Sequence, residues 1–191
     1  MESTGSDAAC LARSLEEPSA FATIFDRHIA AVHRYLHRRA GRDLADELAA
    51  ETFALAFEGR ASCNASESVL PWLYGIATNL LHNHRRAEQR QLRAYSRSGV
   101  DSLAVYEDKA ARVGGAVLDA RLAGALAAMR PHERDALLLY ALADLSYEDI
   151  ALGLDVPVGT VRTWLHRARL KAQRELGGKA ELVPTTQQEL I

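Results

Sequence analysis

Apolar residues recur at helical spacing along nearly the whole chain, and no stretch of any length alternates apolar and polar positions as a strand would. From Ser19, the residues Phe21, Ile24, Phe25, Val32 and Leu36 fall on one helix face, and Gly41 supplies the stop. A second helix follows with Ala45, Leu48, Ala49, Thr52 and Ala56 on its buried side. The run "ASCNASES" is a loop by composition, and Pro71 suits the first turn of a long helix. That helix buries Leu73, Ile76, Ala77 and Leu80 and continues into an arginine-rich run. Between Ser98 and Ala116, Gly, Ser and charged residues mix without a steady period, as in a linker. Beyond it, Leu118, Leu122, Leu126 and Met129 mark a helix closed by Pro131, and residues 131–142 form the next. Ser146 and Asp149 stand at capping-box spacing, with Asp in place of the usual Glu, and open a short helix. A turn then leads into "VPVGTVRTWLHRARLK", the last periodic segment. The pattern predicts an all-α fold of two small helical domains, 19–97 and 117–177, joined by a flexible linker over 98–116. Residues 1–18 are expected to be disordered and 178–191 to form a flexible tail.

Composition narrows the function more than the fold. With 48% apolar residues in 191, the chain can bury a real core. No run approaches 18 consecutive apolar residues, and "MESTGSDAAC" lacks the basic-then-apolar order of a signal peptide. A cytoplasmic protein with no membrane insertion is expected. Cys10 and Cys63 form no Cys-x-x-Cys pair, and His82 and His84, two residues apart, point to different sides of a helix. No metal site and no cofactor are expected. No Gly-rich phosphate loop or nucleophile–base set is present, and His132 and Glu133 beside Pro131 are ordinary helix-start polar residues. The chain should direct an enzyme rather than be one.

The formal net charge of −2 conceals segregation. Asp43 to Glu58 holds five acids and no base; His82 to Arg97 holds five arginines and one acid; Pro157 to Gly177 holds five Lys/Arg and one acid. Separate blocks of opposite sign point to several charged partners. On a 3.6-residue wheel of residues 157–172, Val158, Val161, Leu165, Ala168 and Ala172 cover the core side. Gly159, Thr163, His166 and Arg167 lie opposite, with Thr160 beside them. Arg162 and Arg169 flank one edge of this surface, Trp164 and Lys171 the other. A capped helix, a tight turn and a second helix of this content describe a helix-turn-helix. In a DNA major groove, Thr and Arg reach base edges while flanking cations reach phosphates.

"SYEDIA", "VPVGTV" and "LHRAR", in that order, resemble region 4 of a bacterial RNA polymerase sigma factor of the extracytoplasmic-function type. "DELAAETFALAF" resembles region 2.2, and "PWLYGIATNLLHNHRR" resembles regions 2.3 and 2.4. The resemblance spans roughly residues 20–96 and 118–176. It implies that Thr160, Arg162, Thr163 and His166, with Arg167, Arg169 and Lys171, contact the promoter −35 element. It implies that Trp72, Asn79 and Asn83, with Arg85, Arg86 and Arg90, hold the melted −10 strand, where an indole can stack on an unpaired base. The loop at Ser62–Val69 would help pocket a flipped base. Asp43, Asp46, Glu47, Glu51 and Phe57 would meet core RNA polymerase, whose largest-subunit coiled coil and flap are the expected partners beside promoter DNA. An anti-sigma factor is a further candidate partner. Three positions depart from the family pattern: Ala50 where Gln is usual, Asp155 where Gly is common, and Trp164 where a base is frequent. A stand-alone helix-turn-helix regulator and a degenerate sigma acting only as a protein-interaction module are the rival readings.

Overall fold

The computed structural model describes residues 5–63, 68–97 and 120–175. Among them are eight α-helices and no strand: α1 (Asp7–Glu16), α2 (Ala22–Ala40), α3 (Arg42–Gly59), α4 (Leu70–Arg97), α5 (Ala120–Ala127), α6 (Pro131–Ala143), α7 (Tyr147–Leu154) and α8 (Val158–Glu175). Short 3₁₀ turns at Pro18–Phe21 and Arg60–Ser62 follow α1 and α3. The expected linker at 98–116 and tail at 178–191 lie outside the described residues, as does the middle of the "ASCNASES" loop.

α2, α3 and α4 pack together around Ile24, Val32, Leu36, Leu48, Leu73 and Leu81, all at 2% exposure or less. The periodicity placed each of these residues except Leu81, and it turned inward Ile76, which is half-buried, and Phe25. Phe25 is 40% exposed and meets Phe53 edge-on, ring centroids 4.9 Å apart. In the C-terminal half, α8 buries Val161, Leu165, Ala168 and Ala172 against α5, α6 and α7. Gly41, at φ 85°, ends α2 and leads directly into α3. The Ser146–Asp149 box is closed: the Ser hydroxyl accepts from the Asp149 N–H at 3.0 Å, and the Asp carboxylate accepts from the Ser146 N–H at 3.3 Å.

The N-terminal segment departs from expectation. Residues 7–16 form a helix rather than a disordered stretch, with Ser6 as its cap. Only Cys10 and Leu11 contribute apolar burial from it. Besides these two, which join the core, α1 makes polar contacts to residues far along the chain, Arg27, His28, Arg60 and Val69, which periodicity does not register.

Asp155 ends α7 in the left-handed conformation at φ 52°, ψ 53°. The turn of the helix-turn-helix therefore keeps the geometry that glycine would adopt, at a residue type that tolerates it. A β-branched replacement should not: Asp155→Val is expected to lower stability by about 1–2 kcal/mol, whereas Asp155→Gly should stay within about 0.5 kcal/mol of the parent. Urea denaturation midpoints measure both.

The two halves dock on one another. α4 crosses α7 so closely that a Cβ added at Gly75 would lie 1.9 Å from the Gly153 carbonyl oxygen. Beside this crossing runs a buried polar chain. Thr78 of α4 bonds the Tyr35 hydroxyl of α2 at 2.9 Å, and Tyr35 accepts from Arg39 Nη1 at 2.6 Å. Arg39 Nη2 in turn donates to Asp135 Oδ1 of α6 at 2.6 Å, and His82 Nε2 lies 2.8 Å from Asp135 Oδ2. Arg39 and Asp135 are 4% and 2% exposed, so this is an ion pair in a dry interface.

Candidate nucleic-acid and polymerase interfaces

α8 sorts its residues by face as its sequence requires. With Val161, Leu165, Ala168 and Ala172 turned inward, Arg162, Thr163, His166 and Arg167 are left exposed, and Thr160 is half-buried beside them. The Thr163 hydroxyl donates back to the Gly159 carbonyl at 2.9 Å, a bond within the exposed first turns of the helix. Two of the cations at the edges are tethered. Arg169 Nη2 donates to the Tyr147 hydroxyl at 2.8 Å, and Lys171 Nζ reaches Glu133 Oε2 at 2.6 Å. Glu133 is 2% exposed and also accepts from the Arg130 N–H at 3.0 Å. Burial alone would raise its carboxyl, but Lys171 and the Arg130 N–H outweigh burial and hold it below its ordinary value. Arg169 and Lys171 thus fix α8 to α7 and α6, while Arg162 and Arg167 remain free to reach outward. Trp164 is half-buried and stacks on His132, centroids 5.1 Å apart and planes 16° from parallel, so this departure packs on its own domain.

On α4, Asn79, Asn83, Arg86 and Arg90 are exposed and share one stripe. Trp72, one turn ahead of Ile76, is half-buried against the core beside Gly59. Arg85 stands apart from this stripe. Its Nη2 donates to the Arg39 carbonyl at 2.8 Å, inside the dock. Burial, then the charges of Arg39 and Arg134, push its guanidinium down to about 10.

On α3, Asp43, Asp46, Glu47 and Glu51 are exposed, with Ala50, Ala54 and the 40% exposed Leu55 along the same helix. Asp46 pairs with His33 Nε2 at 2.7 Å at the surface. Phe57 is half-buried, edge-on to Phe21 at 5.4 Å and covered by the Arg60 guanidinium at 4.0 Å from its ring centroid. Among the described residues no group of His, Cys, Asp and Glu could hold a metal ion, and no helix is long and apolar enough to cross a membrane.

An exposed Asn/Arg stripe and an acidic face on one half, and a helix-turn-helix on the other, meet two family profiles in the same order. The sigma-70 region 2 profile matches residues 24–91, and the sigma-70 region 4 profile matches residues 119–171. The chain belongs to the sigma-70 family. It is an RNA polymerase sigma factor of the extracytoplasmic-function type. It is similar to the RNA polymerase sigma factor YlaC of Bacillus subtilis, 29% identical over 80% of this chain and 90% of that protein. It is also similar to the RNA polymerase sigma factor CarQ of Myxococcus xanthus, 29% identical over 85% of this chain and 92% of that protein. Among solved structures, the sigma factor RpoE of Bartonella quintana, in complex with the anti-sigma factor NepR, superposes with a TM-score of 0.60. The identity there is 22%, over 84% of this chain and 98% of that one. CnrH, in complex with the cytosolic domain of CnrY, gives a TM-score of 0.62 at 20% identity, over 91% and 99%. These likenesses show the fold.

In this sigma factor, sequence reasoning missed Arg39, Asp135 and His82, which bind its halves together, and Asp7 at the start of α1, which ties α1 to α2 and α4 within the N-terminal half. The one signal for the dock was the pair of glycines inside helices. Gly75 and Gly153 are not at positive φ, and a helix-interior glycine costs about 1 kcal/mol relative to alanine.

Proposed function

We propose that this sigma factor joins core RNA polymerase through the acidic face of α3 and reads promoters with two separate DNA surfaces. Asp43, Asp46, Glu47 and Glu51 steer the encounter with a basic surface of polymerase, and the exposed apolar Leu55 adds a contact that loses water on binding. Arg162, Thr163, His166 and Arg167 of α8 read the −35 major groove. Trp72, Asn79, Asn83, Arg86 and Arg90 of α4 hold the opened −10 strand. The observation that carries this reading is the clean division of α8, whose hydroxyl and basic residues share the face left outside once its aliphatic side is buried. The protein supplies positioning, and polymerase supplies the chemistry. Each DNA module is small, so tethering both on polymerase supplies avidity that neither has alone. By analogy with the RpoE–NepR complex, an anti-sigma factor is proposed as a further partner in the cytoplasm.

Transcription in vitro with purified core polymerase and genomic promoter fragments tests the reading. Promoter-specific transcripts that depend on this chain are expected. Tight operator binding without polymerase would instead favour a stand-alone regulator, and polymerase binding without initiation a titrating module. Arg167→Ala should weaken −35-dependent initiation by about 10-fold or more, the scale of one lost bidentate base contact, and leave polymerase binding unchanged. Equal loss of both would place Arg167 outside the DNA face.

A further inference from the structure

Asp7 is a buried carboxylate, 8% exposed, that joins three parts of the N-terminal half. Its Oδ1 accepts from Arg27 Nη1 at 2.9 Å and its Oδ2 lies 2.7 Å from His28 Nε2, both on α2. The same Oδ2 accepts from the backbone N–H of Val69 at 3.2 Å, the residue immediately before α4. Val69 is fully buried, and its carbonyl begins the hydrogen bonding of α4 by accepting from the Leu73 N–H at 3.0 Å. The other end of α1 reaches the exit of α3. Arg60 Nε donates to the Ser14 carbonyl at 3.2 Å, and Arg60 also bonds the Phe57 carbonyl.

α1 therefore spans the exit of α3 and the entrance of α4, with one anchor at each end. A helix that needed only to cover apolar surface would not require a buried charge. This one contributes little apolar burial and places an ionised group on a backbone N–H that the first turn of α4 cannot itself satisfy. Three donors converge on one carboxylate, which removes the freedom of Val69 to shift or rotate relative to α2. Trp72 and Asn79 follow within the next three turns, so their placement is set by where α4 begins.

We infer that Asp7 is a positioning residue for −10 recognition: through Val69 it fixes the start of α4, and with it the register of the −10 stripe against α2. The inference rests on the −10 role proposed above for α4. Asp7 touches no DNA in this scheme; it acts through the backbone that carries Trp72 and Asn79. Asp7→Asn keeps the shape of the side chain, removes its charge and sets an amide among donors.

The test uses the full chain with core polymerase on a promoter recovered in the transcription assay, with each −10 base permuted in turn. Asp7→Asn is expected to lower open-complex formation, read by permanganate reactivity, by about 10-fold or more on the native promoter, the scale of one charge-assisted hydrogen bond. On −10 variants the loss should be smaller, so that discrimination among bases flattens. Polymerase binding and the folded fraction by circular dichroism should be unchanged. Asp7→Glu, which restores the charge with a longer arm, should recover part of the discrimination. A loss that is uniform across all −10 variants, or that follows the folded fraction, would overturn the inference and leave Asp7 a stabilising residue only. If the parent protein itself shows no dependence on −10 sequence, the reading of α4 has failed, and the inference goes with it for that separate reason.

Discussion

Gly75→Leu is expected to separate the two halves of this sigma factor. A Cβ at position 75 would sit 1.9 Å from the Gly153 carbonyl oxygen and 2.9 Å from its carbon. In the other direction, a Cβ at Gly153 would sit 2.5 Å from the Pro71 carbonyl oxygen. These are backbone atoms of two helices, so no rotamer change relieves the clash; α4 and α7 have to move apart. The rest of each half has no reason to unfold, because position 75 is helical and Leu is a better helix former than Gly there. The expected result is a protein with unchanged helical content and a larger radius of gyration in X-ray scattering, with Arg85 returned to water. Gly124→Ala is the control. Among the described residues nothing lies within 4 Å of its added Cβ, so it should gain up to about 1 kcal/mol from helix propensity and keep the compact profile. A compact profile for Gly75→Leu would mean that the crossing of α4 and α7 does not hold the halves together.

The contrast between what the sequence displayed and what it concealed follows from the range of the forces involved. Helical periodicity is local, so Leu48, Leu73, Val161 and Leu165 could be placed on buried faces from their spacing alone, and the exposed face of α8 followed by subtraction. The caps at Gly41 and Ser146 were legible for the same reason. Phe25 fell on the apolar stripe of α2 yet lies partly outside, because Phe53 of the next helix can cover only one edge of its ring. Arg85 shows the limit most clearly. By composition it belongs with Arg86 and Arg90, but one residue is about 100° of helix rotation, and that turn takes it from the exposed stripe into the dock. Arg39 and Asp135, and likewise Asp7 and Val69, are paired across long sequence separations. No local pattern encodes such a pair until the fold brings its members together.

Asp135→Asn is expected to cost about 3–5 kcal/mol, the usual penalty for leaving a buried charge without its partner. Arg39 would keep Tyr35 but lose its counter-charge, and the amide of Asn would present donors to Arg39 or His82. The surroundings make this worse. Arg85 and Arg134 both lie close enough to feel the Arg39 charge, and Arg39 Nε and Arg134 Nε are buried without hydrogen-bond partners among the described residues. Among the described residues, Asp135 is the carboxylate set against these three guanidinium groups. Burial by itself would raise the Asp135 carboxyl, yet the His82 hydrogen bond and the Arg39 charge outweigh burial and hold it below the ordinary aspartate value of 3.8. A depressed carboxylate contributes stability that is present above its unfolded-state value and is lost as pH falls through the lower folded-state value. The gap in urea midpoint between the parent and Asp135→Asn should therefore be widest above about pH 5 and close in acid below that folded-state value. A double variant, Arg39→Met with Asp135→Leu, should recover part of the loss, because the Arg39–Asp135 pair leaves the interface together while Arg85 and Arg134 remain without the carboxylate. An Asp135→Asn protein whose midpoint matches the parent at neutral pH would show that water reaches this pair and that the halves are not held by a dry ion pair.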